Sequence, residues 1–379
     1  MGNLNILVTG GAGFIGTHLV VALVEKGHQI RILDSLVEQV HGEKIPQHLN
    51  TETEFIKANV CDVGAVSKAL KGIDVVYHLA AETGVGQSQY EIERYVTTNT
   101  LGTAVVLQEA ANAKVKQVII TSSRAVYGEG LHNCLKCEKK FVPKPRKQEN
   151  LDAGKWEIFC PICGEVAEAQ LMSEEDLTMP TSIYGLTKLQ QEQLAFQIGQ
   201  SYGLPVTLLR LFNVFGPGQS LTNPYVGVLG TFFRRITSGN GIDIYEDGQM
   251  QRDFVYIGDV VKALNIVNNN ESAFNQIINV GTGKVVTLQE AGEEVFRVLG
   301  IKPEMSFSGK YRLGDVHHAI ADTKLIRDKL NFFPQTSFAD GLREYLAWAK
   351  LNENNLSNID LVAEQQLAEK NLLRQAKND

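Results

Sequence analysis

No apolar run in this sequence approaches the twenty or so residues a helix needs to cross a bilayer, so a membrane-spanning chain is excluded. A secretory leader is not expected either. Met1 to Asn5 leads straight into apolar residues with no basic n-region or cleavage site, and a cytoplasmic protein with no membrane partner is expected. Positive charge is not in excess: a net charge of -7 leaves little of the basic surface that a phosphate backbone requires, which argues against a nucleic-acid partner. Internal repeats and low-complexity tracts are absent. With 44% hydrophobic and 21% charged residues among 379, the chain is ordinary globular material, large enough for two core-bearing lobes.

What is present begins with glycine. Asn5-Ile6-Leu7-Val8-Thr9 is an apolar strand run, followed by Gly10-Gly11-Ala12-Gly13-Phe14-Ile15-Gly16 and a helical pattern from Thr17 to Lys26. Glycines at 10, 13 and 16 allow a tight turn, a close approach to a pyrophosphate and close packing of helix on strand, while the helix N-terminus favours the anion. A second strand, Gln29 to Leu33, ends in Asp34, near the distance at which an acid meets ribose hydroxyls. A carboxylate there accepts from a free 2'-hydroxyl but repels a 2'-phosphate, and no arginine follows in Ser35-Leu36-Val37, so NAD is favoured over NADP.

The alternation continues. Phe55 to Val60 reads as a third strand ending at Cys61-Asp62, where Asp62 either faces the adenine or is a solvated loop acid. Asp74 to Ala81 reads as a fourth strand entering a small-residue loop, in which His78 is either a packed core histidine or a ligand. Gln117 to Thr121 is a fifth, opening into Ser122-Ser123-Arg124-Ala125-Val126-Tyr127-Gly128, and Val206 to Leu211 a sixth. Strands alternating with helices imply an α/β fold with a doubly wound parallel Rossmann-type sheet, whose ligands lie beyond the carboxyl ends of the strands. That places Ser123 where chemistry belongs. A long helix is predicted to begin near Met179-Pro180-Thr181-Ser182, to carry Leu194, Ile198 and Tyr202 at i, i+4, i+8, and to stop at Gly203-Leu204-Pro205. Tyr184 and Lys188 then share one face, and a phenol of pKa about 10 needs a cation nearby to act as a base at neutral pH.

The set Thr9 to Gly16, Asp34, Asp62, His78 to Ala81, Asn99, Ser123 and Tyr184-x-x-x-Lys188 resembles the extended short-chain dehydrogenase/reductases, specifically the NAD-dependent nucleotide-sugar epimerases and dehydratases. The resemblance runs from about Leu4 to about Tyr345. It implies that Tyr184 is the general base, that Lys188 binds the nicotinamide ribose and lowers the tyrosine pKa, and that Ser123 hydrogen-bonds the reacting sugar oxygen. It further implies NAD contacts at Gly10, Gly13, Phe14, Ile15, Gly16, Asp34, Asp62, Val63, Leu79, Ala80, Ala81 and Asn99. Arg124 and Asn213 are implied to touch the sugar. Asn223, Arg252 with Asp259, and Arg312 with Asp315 are implied to touch the nucleotide diphosphate. Guanidinium forks suit phosphate oxygens, although arginines such as Arg252 and Arg312 read alone are more often surface ion-pair partners.

In that family 4,6-dehydratases carry an Asp-Glu pair after the catalytic hydroxyl residue, and decarboxylases a Glu in the same segment. Here those positions are Arg124 and Ala125, and neither serves as a carboxylate acid or base. The expected reaction is therefore 4-epimerisation through a transient 4-keto sugar with recycled NAD. A UDP-hexose epimerase, a dehydratase or net oxidoreductase, and a non-catalytic NAD-sensing protein are the alternatives. Relatives commonly pair through the helices flanking the tyrosine, so a homodimer is expected.

An insertion interrupts the resemblance. Cys134-Leu135-Lys136-Cys137 and, after 22 residues, Cys160-Pro161-Ile162-Cys163 form two Cys-x-x-Cys knuckles, which signal a closed structural zinc site; disulfides are the alternative. Cys61 is left as a buried thiol. Lys136, Lys139, Lys140, Lys144, Arg146, Lys147 and Lys155 make the ribbon basic, and it is expected to form a lip over the sugar site. Such a ribbon after Ser123 is similar to that of bacterial dTDP-L-rhamnose 4-epimerases, which makes a dTDP-linked 6-deoxyhexose the first expectation for substrate. The expected organisation is a cofactor domain over 1–212 with the ribbon at 131–168, a smaller α/β substrate lobe over 213–345 that partly returns to the first domain, and a polar tail over 346–379, read as an exposed helix or frayed end.

Overall fold

The computed structural model describes residues 2–41, 53–225, 227–352 and 359–377. Seven strands form one fully parallel sheet: β1 (Asn5–Thr9), β2 (Gln29–Asp34), β3 (Thr53–Lys57), β4 (Val75–His78), β5 (Gln117–Ser123), β6 (Val206–Leu211) and β7 (Gln276–Val280). Their order is β7-β6-β5-β4-β1-β2-β3. Successive residues of each strand point to opposite faces, so Ile6 and Val8 join one core while Leu7 joins the other. The first core is closed by α1 (Phe14–Glu25) and by Val260, Ala263 and Leu264 of a helix over 257–266. The second is closed by α2 (Val63–Ala69), α3 (Gly102–Ala113) and α4 (Ile183–Tyr202). Each fully buried Leu, Ile or Val in these layers contributes roughly 1.5–3 kcal/mol.

Where the sheet departs from the sequence reading, local hydrogen bonds explain it. The third strand stops at Lys57 rather than Val60, because Asn59 Oδ1 accepts from Cys61 N at 2.9 Å and its carbonyl accepts from Asp62 N at 3.0 Å, which turns the chain. On α4, Leu194 and Ile198 pack against the core, but Tyr202 is exposed at the helix end.

A third core gathers Phe215, Phe232, Phe233, Phe254, Phe296 and Tyr345 around α5 (Val228–Thr237), α6 (Leu288–Leu299) and α7 (Phe338–Leu351). The insertion forms its own three-stranded antiparallel sheet from His132–Cys134, Lys139–Phe141 and Glu168–Ala169. Among the described residues no helix is long and apolar enough to cross a membrane.

The end of the chain corrects the expectation of an exposed or frayed tail. Within 346–379, residues 353–358 and 378–379 lie outside the described residues; the rest is docked. Helix α8 (Ile359–Glu369) buries Ala363 and Leu367 and pairs Asp360 with Arg234 and Glu364 with Arg235. Leu373–Gln375 then pairs antiparallel with Lys310–Arg312, and Lys377 N donates to Asp152 O at 2.8 Å. The segment looked polar because ion pairs, rather than apolar side chains, hold most of it.

Candidate active site

The site begins where β5 ends. Ser123 is the last residue of that strand, and its hydroxyl accepts from Ala125 N at 3.2 Å, capping a single 3-10 turn over Arg124–Tyr127. Helix α4 packs on this turn. Ser182 caps it by accepting from Gly185 N at 3.1 Å, and Gly185 is needed there because a Cβ would stand 2.5 Å from Ala125 O. Close approach of helix and turn brings Tyr184 to Ser123, and Ser88 Oγ fixes the helix start by accepting from Tyr184 N at 3.1 Å.

Burial raises the Tyr184 phenol, and two groups oppose it: the neighbouring Ser123 hydroxyl and the charge of Arg124. Lys188, the expected cation, is the next turn of the same face, and its Nζ donates to Thr121 O at 2.9 Å. Burial lowers it to about 7, partly offset by Glu192. Behind it, His78 bridges Thr9 Oγ1 (2.7 Å) and Thr103 Oγ1 (2.8 Å) and is held neutral by burial, lowered to about 3; it is a packed core histidine.

The glycine loop lies at the same edge of the sheet. Gly10 has φ +71°, and a Cβ on it would meet Ala80 N at 2.6 Å; one on Gly16 would meet Gly10 O at 2.2 Å. The loop therefore leaves a bare backbone surface in front of α1, bordered by Phe14, Ile15 and the Leu79-Ala80-Ala81 loop. Asp34 ends β2 beside it and accepts from Ala12 N (3.0 Å) and Leu36 N (2.9 Å), keeping lone pairs for ribose hydroxyls. A glycine cradle at a helix N-terminus with a carboxylate at the next strand end fits NAD. Asp62 is occupied as the cap of α2, accepting from Ala65 N at 3.0 Å, with Val63 exposed behind it. Asn99 is fully buried, and its amide is spent on Glu82 N, Glu82 O and Thr187 Oγ1. It shapes the loop after β4 rather than offering a group to the cofactor.

Next to Arg124 opens a cavity of about 210 Å³ between the two lobes. Asn213, Arg252, Arg312 and Asp315 line it with Arg124. Asn213 Oδ1 and Arg312 Nε are buried with no hydrogen-bond partner among the described residues, as expected of groups set for a ligand. The Arg312 guanidinium lies 4.9 Å over the Tyr245 ring, and Arg252 is aimed by the carbonyls of Val316 (2.8 Å) and His317 (3.0 Å). Two expectations are corrected. Asn223 does not line the cavity; its Oδ1 accepts from Tyr225 N and Gln39 Nε2, so it positions Tyr225, which does. Asp259 is taken up by Gln335 N, Thr336 N and Lys262. Sequence reasoning missed Tyr245 and the α8 residues Asp360, Ala363, Glu364 and Leu367, which also form the wall. The signal was present as two acids at i, i+4 matching the Arg234-Arg235 pair, but only the folded chain brings them together.

The four ribbon cysteines converge: Cys134 and Cys163 Sγ are 3.5 Å apart, Cys137 and Cys160 Sγ 3.9 Å, and all four lie within 4.8 Å of one another. Tetrahedral zinc with Zn–S bonds of about 2.3 Å requires sulfurs at about these separations. The lip expectation is corrected, because no residue of 131–168 lines the cavity. The ribbon instead supports the wall from behind: Asp152 accepts from Tyr311 OH at 2.5 Å, Trp156 packs on Tyr311, and Arg146 reaches Glu246 (2.7 Å), Glu129 (3.1 Å) and Asp315 O (3.0 Å). Arg146 is thereby removed from the basic surface.

Comparison with known proteins agrees with this geometry. The family model described as "NAD dependent epimerase/dehydratase family" matches residues 6–148 and 160–281. The chain is 36% identical over 354 residues to a dTDP-L-rhamnose 4-epimerase of Burkholderia thailandensis, covering 90% of this chain and 94% of the relative. Among solved structures, a UDP-N-acetylglucosamine 4-epimerase from Methanobrevibacter ruminantium, in complex with UDP-N-acetylmuramic acid, superposes with TM-score 0.76 at 30% identity, covering 93% of this chain and all of the other. A UDP-glucuronic acid 4-epimerase from Bacillus cereus, in complex with UDP-glucuronic acid and NAD, does so with TM-score 0.76 at 26% identity, covering 92% and 100%.

Proposed function

The chain belongs to the NAD-dependent epimerase/dehydratase family, whose enzymes act on nucleotide sugars, and on that premise we propose that it is a nucleotide-sugar 4-epimerase, with a dTDP-linked 6-deoxyhexose such as dTDP-L-rhamnose as first substrate and a UDP-hexose as second. The observation that carries the reaction type is the Ser123–Tyr184 pair followed by Arg124 and Ala125 instead of carboxylates. Of the carboxylates lining the cavity, Asp315 is the one that faces the charges of Arg124 and Arg252. The substrate preference rests on the Burkholderia relative and on the ribbon.

The residues of the chain divide the work. Gly10 to Gly16, Asp34 and Lys188 would hold NAD, which when bound supplies hydride acceptance and return. Tyr184 takes the proton of the sugar 4-hydroxyl, and Ser123 holds that oxygen in line with the phenol. Arg124 stabilises the phenolate that takes the proton, and again once the proton has been returned to the sugar. The keto-sugar turns about its diphosphate bonds while Arg252 and Arg312 grip the diphosphate, so the opposite face meets the same hydride. Zinc on the four cysteines would be structural, since four thiolates leave no position for water. Homodimerisation is supported by exposed Leu186 on the tyrosine helix and exposed Ile92, Val96 and Leu101 on the segment 92–101 packed beside it.

The test is to incubate the purified protein with a panel of dTDP- and UDP-sugars without added cofactor and to read products by NMR. Isomerised sugar without NADH is expected, and Tyr184→Phe should abolish it while bound NAD is retained. Stoichiometric NADH, or a sugar that has lost its 6-hydroxyl, would replace this reading.

A further inference from the structure

Outside the sugar site, three ligand-bearing side chains meet where the insertion touches the second lobe. Glu157, three residues before Cys160, faces His317 and His318. Glu157 Oε1 is 3.7 Å from His317 Nε2, and Glu157 Oε2 is 3.5 Å from His318 Nε2. Both distances exceed the 2.7–3.2 Å of an N–H···O hydrogen bond. They match two ligands on one tetrahedral ion, for which bonds of about 2.05 Å put ligand atoms about 3.4 Å apart.

The surroundings follow the pattern of a metal-bound imidazole. His317 is fully buried, and its Nε2, aimed at this point, has no hydrogen-bond partner among the described residues. Its other nitrogen, Nδ1, lies 3.0 Å from Glu246 Oε2, and Glu246 is gripped by both terminal nitrogens of Arg146. A carboxylate on the far nitrogen orients a ligating histidine and fixes its tautomer.

We propose that Glu157, His317 and His318 form a second metal site, taking a borderline divalent ion such as zinc with water in the fourth position. The ion would join the ribbon to residues 316–318, and the carbonyls of Val316 and His317 in that segment hold Arg252 at the sugar cavity. Its effect on the enzyme is therefore expected in the KM for the nucleotide sugar rather than in NAD retention.

The test is zinc content per chain after dialysis in zinc-buffered solution, with circular dichroism as the check on folding. Two equivalents are expected in the wild type and one in Glu157→Gln and in His318→Ala, whereas Cys137→Ser should keep the Glu157 ion. Glu246→Gln should weaken it roughly 10- to 100-fold. A cobalt titration of the unaltered protein provides an arm that needs no variant. One equivalent should show thiolate charge transfer and a second only weak ligand-field bands. An equivalent count that neither Glu157→Gln nor His318→Ala reduces, or a cobalt spectrum with thiolate sites alone, overturns the proposal and leaves an ion pair.

Discussion

Arg124 is the cation whose charge reaches the Tyr184 phenol, while Lys188, one turn further along the same helix, is tied to Thr121 O. Under the proposed function, a position that would carry an acid in a dehydratase holds instead a cation that favours the ionised phenol. Arg124→Gln should raise the apparent pKa of that base. The base acts when deprotonated, so activity at neutral pH falls on the order of several-fold and recovers toward alkaline pH, with Arg124→Lys intermediate. The pH profile of kcat/KM checks this. An unmoved acidic limb would return the role to Lys188.

Lys188 makes stability depend on pH. Its folded pKa of about 7 lies below the unfolded 10.5, so the unfolded chain binds more protons between those values. The cost of burying this amine is full below about 7 and disappears as pH rises through 10.5. In the cofactor-free protein Lys188→Met should therefore be more stable than wild type at pH 7, by a few kcal/mol at most, with the gap closing toward pH 10. Denaturant melts of both proteins across that window measure it.

Helix α8 closes the sugar cavity through Asp360, Glu364 and Leu367. Asp360→Asn with Glu364→Gln should raise the KM for the nucleotide sugar on the order of tenfold, since partly buried ion pairs contribute about 0.5–1 kcal/mol each. NAD content should not change. Steady-state kinetics alongside extraction of the bound cofactor separate the two effects.

Removal of metal by a chelator should loosen 131–168 first and raise KM, because Asp152, Trp156 and Arg146 hold the segment 311–318 whose arginine lines the cavity. Hydrogen exchange of the ribbon together with kinetics would show it. Unfolding of the ribbon with unchanged KM and turnover would mean that it does not support the sugar site.

The cofactor half was legible because its signals are local: alternating strands, a glycine loop, an acid at the next strand end. The two cysteine knuckles were legible for the same reason. The rest depends on partners far apart in sequence. Asn99 looked like a cofactor contact, but its amide meets Thr187, and Asn223 looked like a diphosphate contact but serves Tyr225. The arrangement of Arg146, Glu246 and His317 has no periodicity to reveal it. Helix α8 buries too little apolar surface for a hydropathy pattern to expose its role.

Strand β7 comes from after the first segments of the second lobe, yet it pairs along nearly all of β6, from Thr207 to Leu211. An isolated fragment of residues 1–212 would leave β6 as a bare edge, open to pairing with another chain and to aggregation. The two lobes accordingly share one folding unit. They should melt in a single transition, and hydride chemistry and sugar recognition in this protein cannot be exchanged with other proteins as independent modules.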